Sequence, residues 1–316
     1  MKNVYAEYFE ILLIFQIFGL APIGRTLCQR VLELCTFCLS LGCSLAIFLT
    51  TLFYTGIVRQ NSLSAFMTVF VFITQVVVIL TILFKAYTAR QKQLNFMETI
   101  YNIDQYFRRN LSKVVIYNDL RKKYCLKIFS LIAVCFFTLI PVAFFMSSRQ
   151  IPFVWLYVAQ RLHGVIVIRL VFLQIIFYIA LLQDRLQMLF DVLQNLSKCK
   201  NNKLQEAPAI SIMFKGNRQH NYNRQDYNDI LHLKKVYGYI YDASELLNYC
   251  FGWPLLGMFT QYFINCTSYS YFIFMAIEQQ VPKNQLFESL IGVFGINILA
   301  IALCYSCYSC GKTVNI

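Results

Sequence analysis

The chain has 316 residues, 58% of them hydrophobic and 14% charged, with a mean hydropathy of +0.55 and a formal net charge of +13. A soluble domain carries roughly a quarter charged residues, so this composition excludes an ordinary soluble protein and points to an integral membrane one. The 28 Lys and Arg against 15 Asp and Glu sit beside apolar stretches, which accounts for the excess without nucleic acid as a partner; no recognisable nucleic-acid-binding fold gathers those charges.

In chain order, residues 1–30 read as a cytoplasmic N-terminal segment with one short apolar helix. Ile11 to Leu20 is too short to span a bilayer. Glu7, Glu10 and the Ala21-Pro22 step argue against a cleaved signal peptide. The helix is expected to pack and to end near Gly19 and Pro22. Residues 31–182 hold spans one to four, near 31–57, 66–86, 126–147 and 152–182, with a cytoplasmic helical loop at 87–125. In that loop Phe96, Ile100, Ile103 and Phe107 recur at helical spacing, an apolar stripe on a charged helix.

Residues 183–248 form a cytoplasmic loop with a polar middle, roughly 198–228, whose composition predicts mobility. Its amphipathic end, through Ile230, Leu233, Tyr237 and Ile240, is expected to pack on the stripe from Phe96 to Phe107. Residues 249–316 hold spans five and six, at 249–277 and 286–309, with Gly252 and Pro254 expected to bend the entry to the fifth. A span needs roughly 20 apolar residues. The expected fold is therefore all-α, a polytopic membrane helix bundle with six spans.

Lys and Arg assign the sides of the membrane. Two connectors are loaded, one with Arg90, Lys92, Arg108, Arg109, Lys113 and Arg121–Lys123, the other from Arg185 through Lys235. The connectors between them hold Arg59, Arg149 and Lys283 singly. Cytoplasmic loops retain Lys and Arg, so the N-terminus is expected inside the cell. Anionic lipid headgroups would attract the same loops, which makes membrane lipids an expected partner. The acceptor motifs at Asn110, Asn195 and Asn265 then fall in the cytoplasm or mid-span, where glycosylation is not expected.

Little in the chain suggests catalysis. His163, His220 and His232 are scattered, whereas a metal site needs clustered ligands. Cys304, Cys307 and Cys310 resemble a metal-binding run but have no His or second Cys pair beside them. Small apolar packing explains them better, with palmitoylation as the functional alternative. The outer connectors hold no Cys, so no structural disulfide is expected. No cofactor is called for.

Polar residues inside spans are costly and therefore informative. In the fifth span Gln261, Asn265 and Ser268 lie at i, i+4 and i+7, with Tyr262, Cys266 and Tyr269 on the neighbouring stripe. In the fourth, Tyr157, Gln160, Arg161 and His163 lie near the outer boundary, and Arg169 lies deeper. The third offers Phe136, Phe137, Phe144 and Phe145. One outcome is an outward-opening cavity for a small molecule, with aromatic walls and Tyr157, Gln160, Arg161, His163, Arg169, Gln261, Asn265 and Tyr269 as ligand-binding residues. The other is plain interhelical hydrogen bonding, with Arg161 snorkelling to the surface.

Three stretches carry a likeness to a known family: Phe15-Gln16-Ile17-Phe18-Gly19-Leu20-Ala21-Pro22; the segment Leu231 to Phe274 with Leu246-Leu247-Asn248-Tyr249-Cys250-Phe251-Gly252 and Leu255-Leu256; and Cys307-Tyr308-Ser309-Cys310. In this ordered set, and in its topology and Tyr/Phe richness, the chain resembles the insect gustatory receptors, ligand-gated cation channels related to insect odorant receptors. The resemblance implies an intracellular N-terminus, seven spans, assembly with other receptor subunits as a tetramer around a pore, and a tastant pocket in the outer half of each subunit. Sugars, bitter compounds and carbon dioxide are ligand classes of the family. The family signature, Thr-Tyr followed by five apolar residues and Gln-Phe in the seventh span, does not occur here. A chain without that pore helix would not be expected to conduct ions by itself. A multi-span solute transporter and an odorant receptor relative remain as alternatives; a membrane enzyme is disfavoured because no acid, base or metal cluster lies at matched depth.

Overall fold

The computed structural model describes residues 8–22, 26–54, 63–110, 122, 124–126, 128–133, 137, 140, 154–205, 216–278 and 283–314. Every element among them is helical: α1 (Phe9–Ile17), α2 (Leu27–Tyr54), α3 (Leu63–Thr88), α4 (Arg90–Asn110), α5 (Val154–Gln205), α6 (Gly216–Ile277) and α7 (Lys283–Val314). A short apolar helical stretch, Tyr124–Ala133, precedes α5. The chain is an all-α polytopic bundle, as its composition requires.

Four described helical stretches are long and apolar enough to cross a membrane: Cys28–Thr50, Val69–Thr88, Leu162–Ser197 and Leu290–Lys312. Most of the stretch expected as the third span lies outside the described residues. The fifth is helical throughout, but Gln261, Asn265 and its many hydroxyls make it less apolar than the other four. In α5 the helix runs unbroken from 154 to 205, and its apolar stretch lies deeper in the sequence than the 152–182 interval suggests.

α5 is the axis of the bundle and touches α2, α3, α4, α6 and α7. From Val167 to Leu182 nearly every side chain is buried, as expected of a helix apolar on all sides. α2 is peripheral; its apolar side chains Val31, Leu32, Leu39 and Leu49 are exposed, the face of a helix that meets lipid. The ion pair Arg90–Glu33 joins the start of α4 to α2.

α1 ends as its residues dictate. Gly19 takes φ +70, a left-handed conformation open to glycine at no steric cost. Leu20 N–H donates to Phe15 O at 2.9 Å and Gly19 N–H to Gln16 O at 3.0 Å, the paired bonds of a Schellman C-cap. Phe15 and Leu20, the positions that pair in such a cap, are both buried in the core. Gln16 Nε2 then donates to Pro22 O, and Gln174 Nε2 of α5 donates to Leu20 O. The N-terminal segment is thereby tied to the central helix.

The stripe on α4 is buried in full: Phe96, Ile100, Ile103 and Phe107 share one core with α6. On α6 the inward face is Leu233, Val236, Ile240 and Ala243, while Ile230 and Tyr237 are exposed. The expected stripe was thus misregistered by one residue at Tyr237. Helix also occupies both ends of the stretch expected to be mobile, since α5 reaches Gln205 and α6 starts at Gly216; residues 206–215 lie outside the described ones. Pro254 sits inside α6 without ending it. Phe107→Ala should lower stability by about 3–5 kcal/mol, the usual cost of emptying a buried ring site, measurable by equilibrium unfolding in micelles.

Below this core lies a buried charge network. Arg185 on α5 donates to both oxygens of Asp104 on α4, Nε to Oδ1 at 3.1 Å and Nη2 to Oδ2 at 2.9 Å, and Nη1 donates to Leu181 O. Tyr124 donates to Ala180 O at 3.0 Å and to the Asp184 carboxylate. Tyr8, Tyr124 and Phe177 meet edge-to-face, with centroids 5.6–5.9 Å apart. Burial raises the Tyr8 phenol above its ordinary value, so it stays neutral beside Arg185.

Candidate functional site

A cavity of about 50 Å³ opens between α3, α5, α6 and α7. α3 contributes Gln75; α5 contributes Arg169 and Phe172; α6 contributes Met258, Gln261, Tyr262, Asn265 and Tyr269; α7 contributes Leu299. Water needs roughly 10–15 Å³ of such space, so the cavity holds a few waters or a compact ligand group.

The polar groups converge because each helix turns one stripe inward. Gln261 and Asn265 are one turn apart on α6, and Gln261 Nε2 donates to Asn265 Oδ1 at 3.2 Å. Tyr262 donates to Asn297 Oδ1 on α7 at 2.5 Å, and Asn297 Nδ2 donates to Val293 O. Phe172 packs edge-on to Phe259 with centroids 6.3 Å apart. The Arg169 side chain is buried in the wall.

Gln75 is the most informative member. It is 1% exposed, and among the described residues neither its amide nitrogen nor its oxygen has a hydrogen-bond partner. The Oε1 of Gln261 is in the same condition. A buried amide without partners costs free energy that a bound polar group or water recovers. Two glycines set these walls. A Cβ at Gly164 would overlap the Gln75 amide, and one at Gly292 would lie 2.6 Å from Cζ and 2.8 Å from the hydroxyl of Tyr269.

Four of the eight residues singled out from sequence line this cavity: Arg169, Gln261, Asn265 and Tyr269. His163 does not; its Nε2 meets Ser44 Oγ of α2 at 2.8 Å, and because Ser44 donates to Ser40 O, the imidazole is the donor. Tyr157, Gln160 and Arg161 are on α5, some 8–12 residues before Arg169, or about 12–18 Å along the helix at roughly 1.5 Å per residue; their side chains are outside what the structure describes. Among the described residues the aromatic walls are Phe172, Tyr262 and Tyr269. Of the third-span phenylalanines, Phe137 is exposed, and Phe136, Phe144 and Phe145 lie outside the described residues.

Sequence reasoning missed Gln75, although a signal existed: it is the one amide in the apolar stretch Val69–Thr88, and polar side chains within spans mark function or pairing. On the far side of Tyr262 an open cleft of about 510 Å³ runs between α6 and α7, past Asn297, Ile301, Cys304 and Tyr308. Cys304 and Cys307 are exposed on α7 instead of packed, while Cys310 is half-buried against the core. No cluster of three metal-ligating side chains occurs among the described residues.

A family model described as 7tm Chemosensory receptor matches residues 11–315, nearly the whole chain. No curated protein matches it.

Proposed function

The chain belongs to the 7tm chemosensory receptor family, and from that premise we propose that it is a gustatory receptor subunit whose cavity between α3, α5, α6 and α7 takes a small tastant. It is a chemosensory receptor and a multi-pass membrane protein. Beyond this, we assign it to the plasma membrane of a sensory neuron, with its N-terminus inside, gating cation flow together with other receptor subunits. The distribution of Lys and Arg between connectors supports the orientation.

The observation that carries the ligand site is the pair of buried amides, Gln75 and Gln261, with unpartnered polar atoms facing a cavity that also holds Arg169 and Asn265. A few placed polar groups within aromatic walls are the usual make-up of a small-molecule site. The cavity is small, so a larger tastant would insert one polar end and leave its remainder between the helices.

The test is direct binding of a panel of sugars and bitter compounds to the purified full chain. For any ligand that binds, Asn265→Ala and Arg169→Met should each raise Kd at least tenfold, about 1.4 kcal/mol, with folding monitored by thermal unfolding. Unchanged Kd in both variants would place the ligand elsewhere.

A further inference from the structure

We propose that Lys85, Lys92 and Tyr249 form a site for the phosphate of an anionic phospholipid headgroup at the membrane–water boundary. The three residues come from three helices. The Nζ of Lys85, in the last turn of α3, lies 3.9 Å from the centroid of the Tyr249 ring on α6. The Nζ of Lys92, in the first turn of α4, lies 5.5 Å from the same centroid. Two ammonium groups are thus gathered on one ring.

Depth follows from sequence. The apolar stretch of α3 ends at Thr88, three residues after Lys85, and the polar, amphipathic α4 begins at Arg90. On α6, Tyr249 and Trp253 stand one turn apart and both face outward, 53% and 68% exposed. Tyr and Trp on an outward face are the usual anchors at headgroup level. The site is therefore open to the lipid at the depth where phosphates lie.

Charge points the same way. Among the described residues neither lysine makes an ion pair. Glu245, one turn before Tyr249, is occupied by the Tyr241 hydroxyl, which donates to it at 3.0 Å. Like charges on a shared ring repel, and the ring face offsets only part of that repulsion. A phosphate between them would remove the remainder and accept hydrogen bonds from both. Ordinary snorkelling would send each lysine to water independently; it gives no reason for two of them, from different helices, to converge. Basic pockets beside spans at this level suit anionic headgroups, and the open apolar flank around Trp253 favours a lipid over free phosphate.

The experiment is native mass spectrometry of the full chain in detergent, titrated with dioctanoyl phosphatidylinositol phosphate, dioctanoyl phosphatidylcholine or inorganic phosphate. The inositol lipid should bind, phosphatidylcholine should bind at least fivefold more weakly, and inorganic phosphate at equal concentration should not displace the bound lipid. Lys85→Gln/Lys92→Gln should weaken the inositol lipid at least fivefold. Lys85→Arg/Lys92→Arg and Lys234→Gln should stay within twofold of the parent. Lys92→Glu, a change at an exposed position that spares folding, should weaken it at least as much as the double glutamine variant. Equal binding of phosphatidylcholine, full displacement by inorganic phosphate, or unchanged retention in the Gln and Glu variants would overturn the proposal.

Discussion

Replacing Arg185 by Met lowers the unfolding free energy by about 3–5 kcal/mol, whereas Arg185→Met combined with Asp104→Leu costs much less. The reason is desolvation. Arg185 is 0% exposed and Asp104 3%, so removal of the guanidinium leaves a buried carboxylate without the two donors that Arg185 supplies. Removing both charges removes that penalty, and the apolar side chains recover dispersion contacts. The two bonds to Asp104 at 3.1 and 2.9 Å and a third to Leu181 O engage three of the five guanidinium donors. The pair consequently adds less net stability than its geometry suggests, but it locks α4 to α5 in one register. A double-mutant cycle by equilibrium unfolding in micelles measures the coupling. A double variant as unstable as the single one would show that Tyr8 and the α5 carbonyl, not Asp104, are what depend on Arg185.

Gly164→Ala and Gly292→Ala should reduce ligand affinity tenfold or more at modest cost in stability. A methyl at Gly164 strikes the Gln75 amide, the end of a flexible side chain, which must swing away from its seat against α5. The cavity then loses its least satisfied amide. At Gly292 the methyl meets Cζ, the hydroxyl and Cε1 of Tyr269 at 2.6, 2.8 and 3.0 Å. A rigid ring yields less easily, so this variant should also show an overpacking penalty of roughly 1–3 kcal/mol. Gly42→Ala is the control. Nothing lies within 4 Å of its would-be Cβ, and in a helix the added methyl should stabilise by roughly 0.5–1 kcal/mol. Ligand titration alongside thermal unfolding separates these outcomes. Unaltered affinity in both cavity variants would mean that Gln75 and Tyr269 only pack.

The difference between what was legible and what was not follows from the range of each signal. Hydropathy and charge balance identified a helical membrane bundle, because bilayer insertion depends on averages along one element. The end of α1 was legible for the same local reason: Gly19 and Pro22 announce a C-cap whatever surrounds them. The α4 stripe was legible because its period alone selects a face. Averages also hid something: the polar groups that make α6 interesting lowered its hydropathy.

Of the cavity lining, Gln261 and Asn265 were legible as one polar stripe of α6, Tyr269 from the stripe beside it, and Arg169 because a cation in a span is conspicuous. His163 looked equivalent by depth but faces α2, and depth does not specify azimuth. Gln75, Gly164 and Gly292 acquire meaning only in pairs across helices: an amide seated on one glycine, a ring seated on another.

Composition and periodicity by themselves determined that this chain folds as membrane helices, which face of α4 is buried, and that α6 carries a polar stripe. Only the tertiary structure decided which stripes meet: Asp104 with Arg185, Gln75 with Gly164, Tyr249 with two lysines. Helical periodicity is a property of a single segment, whereas partner choice depends on side-chain volumes and azimuths fitted between segments as many as 190 residues apart, as where Gln261 reaches Val71 O.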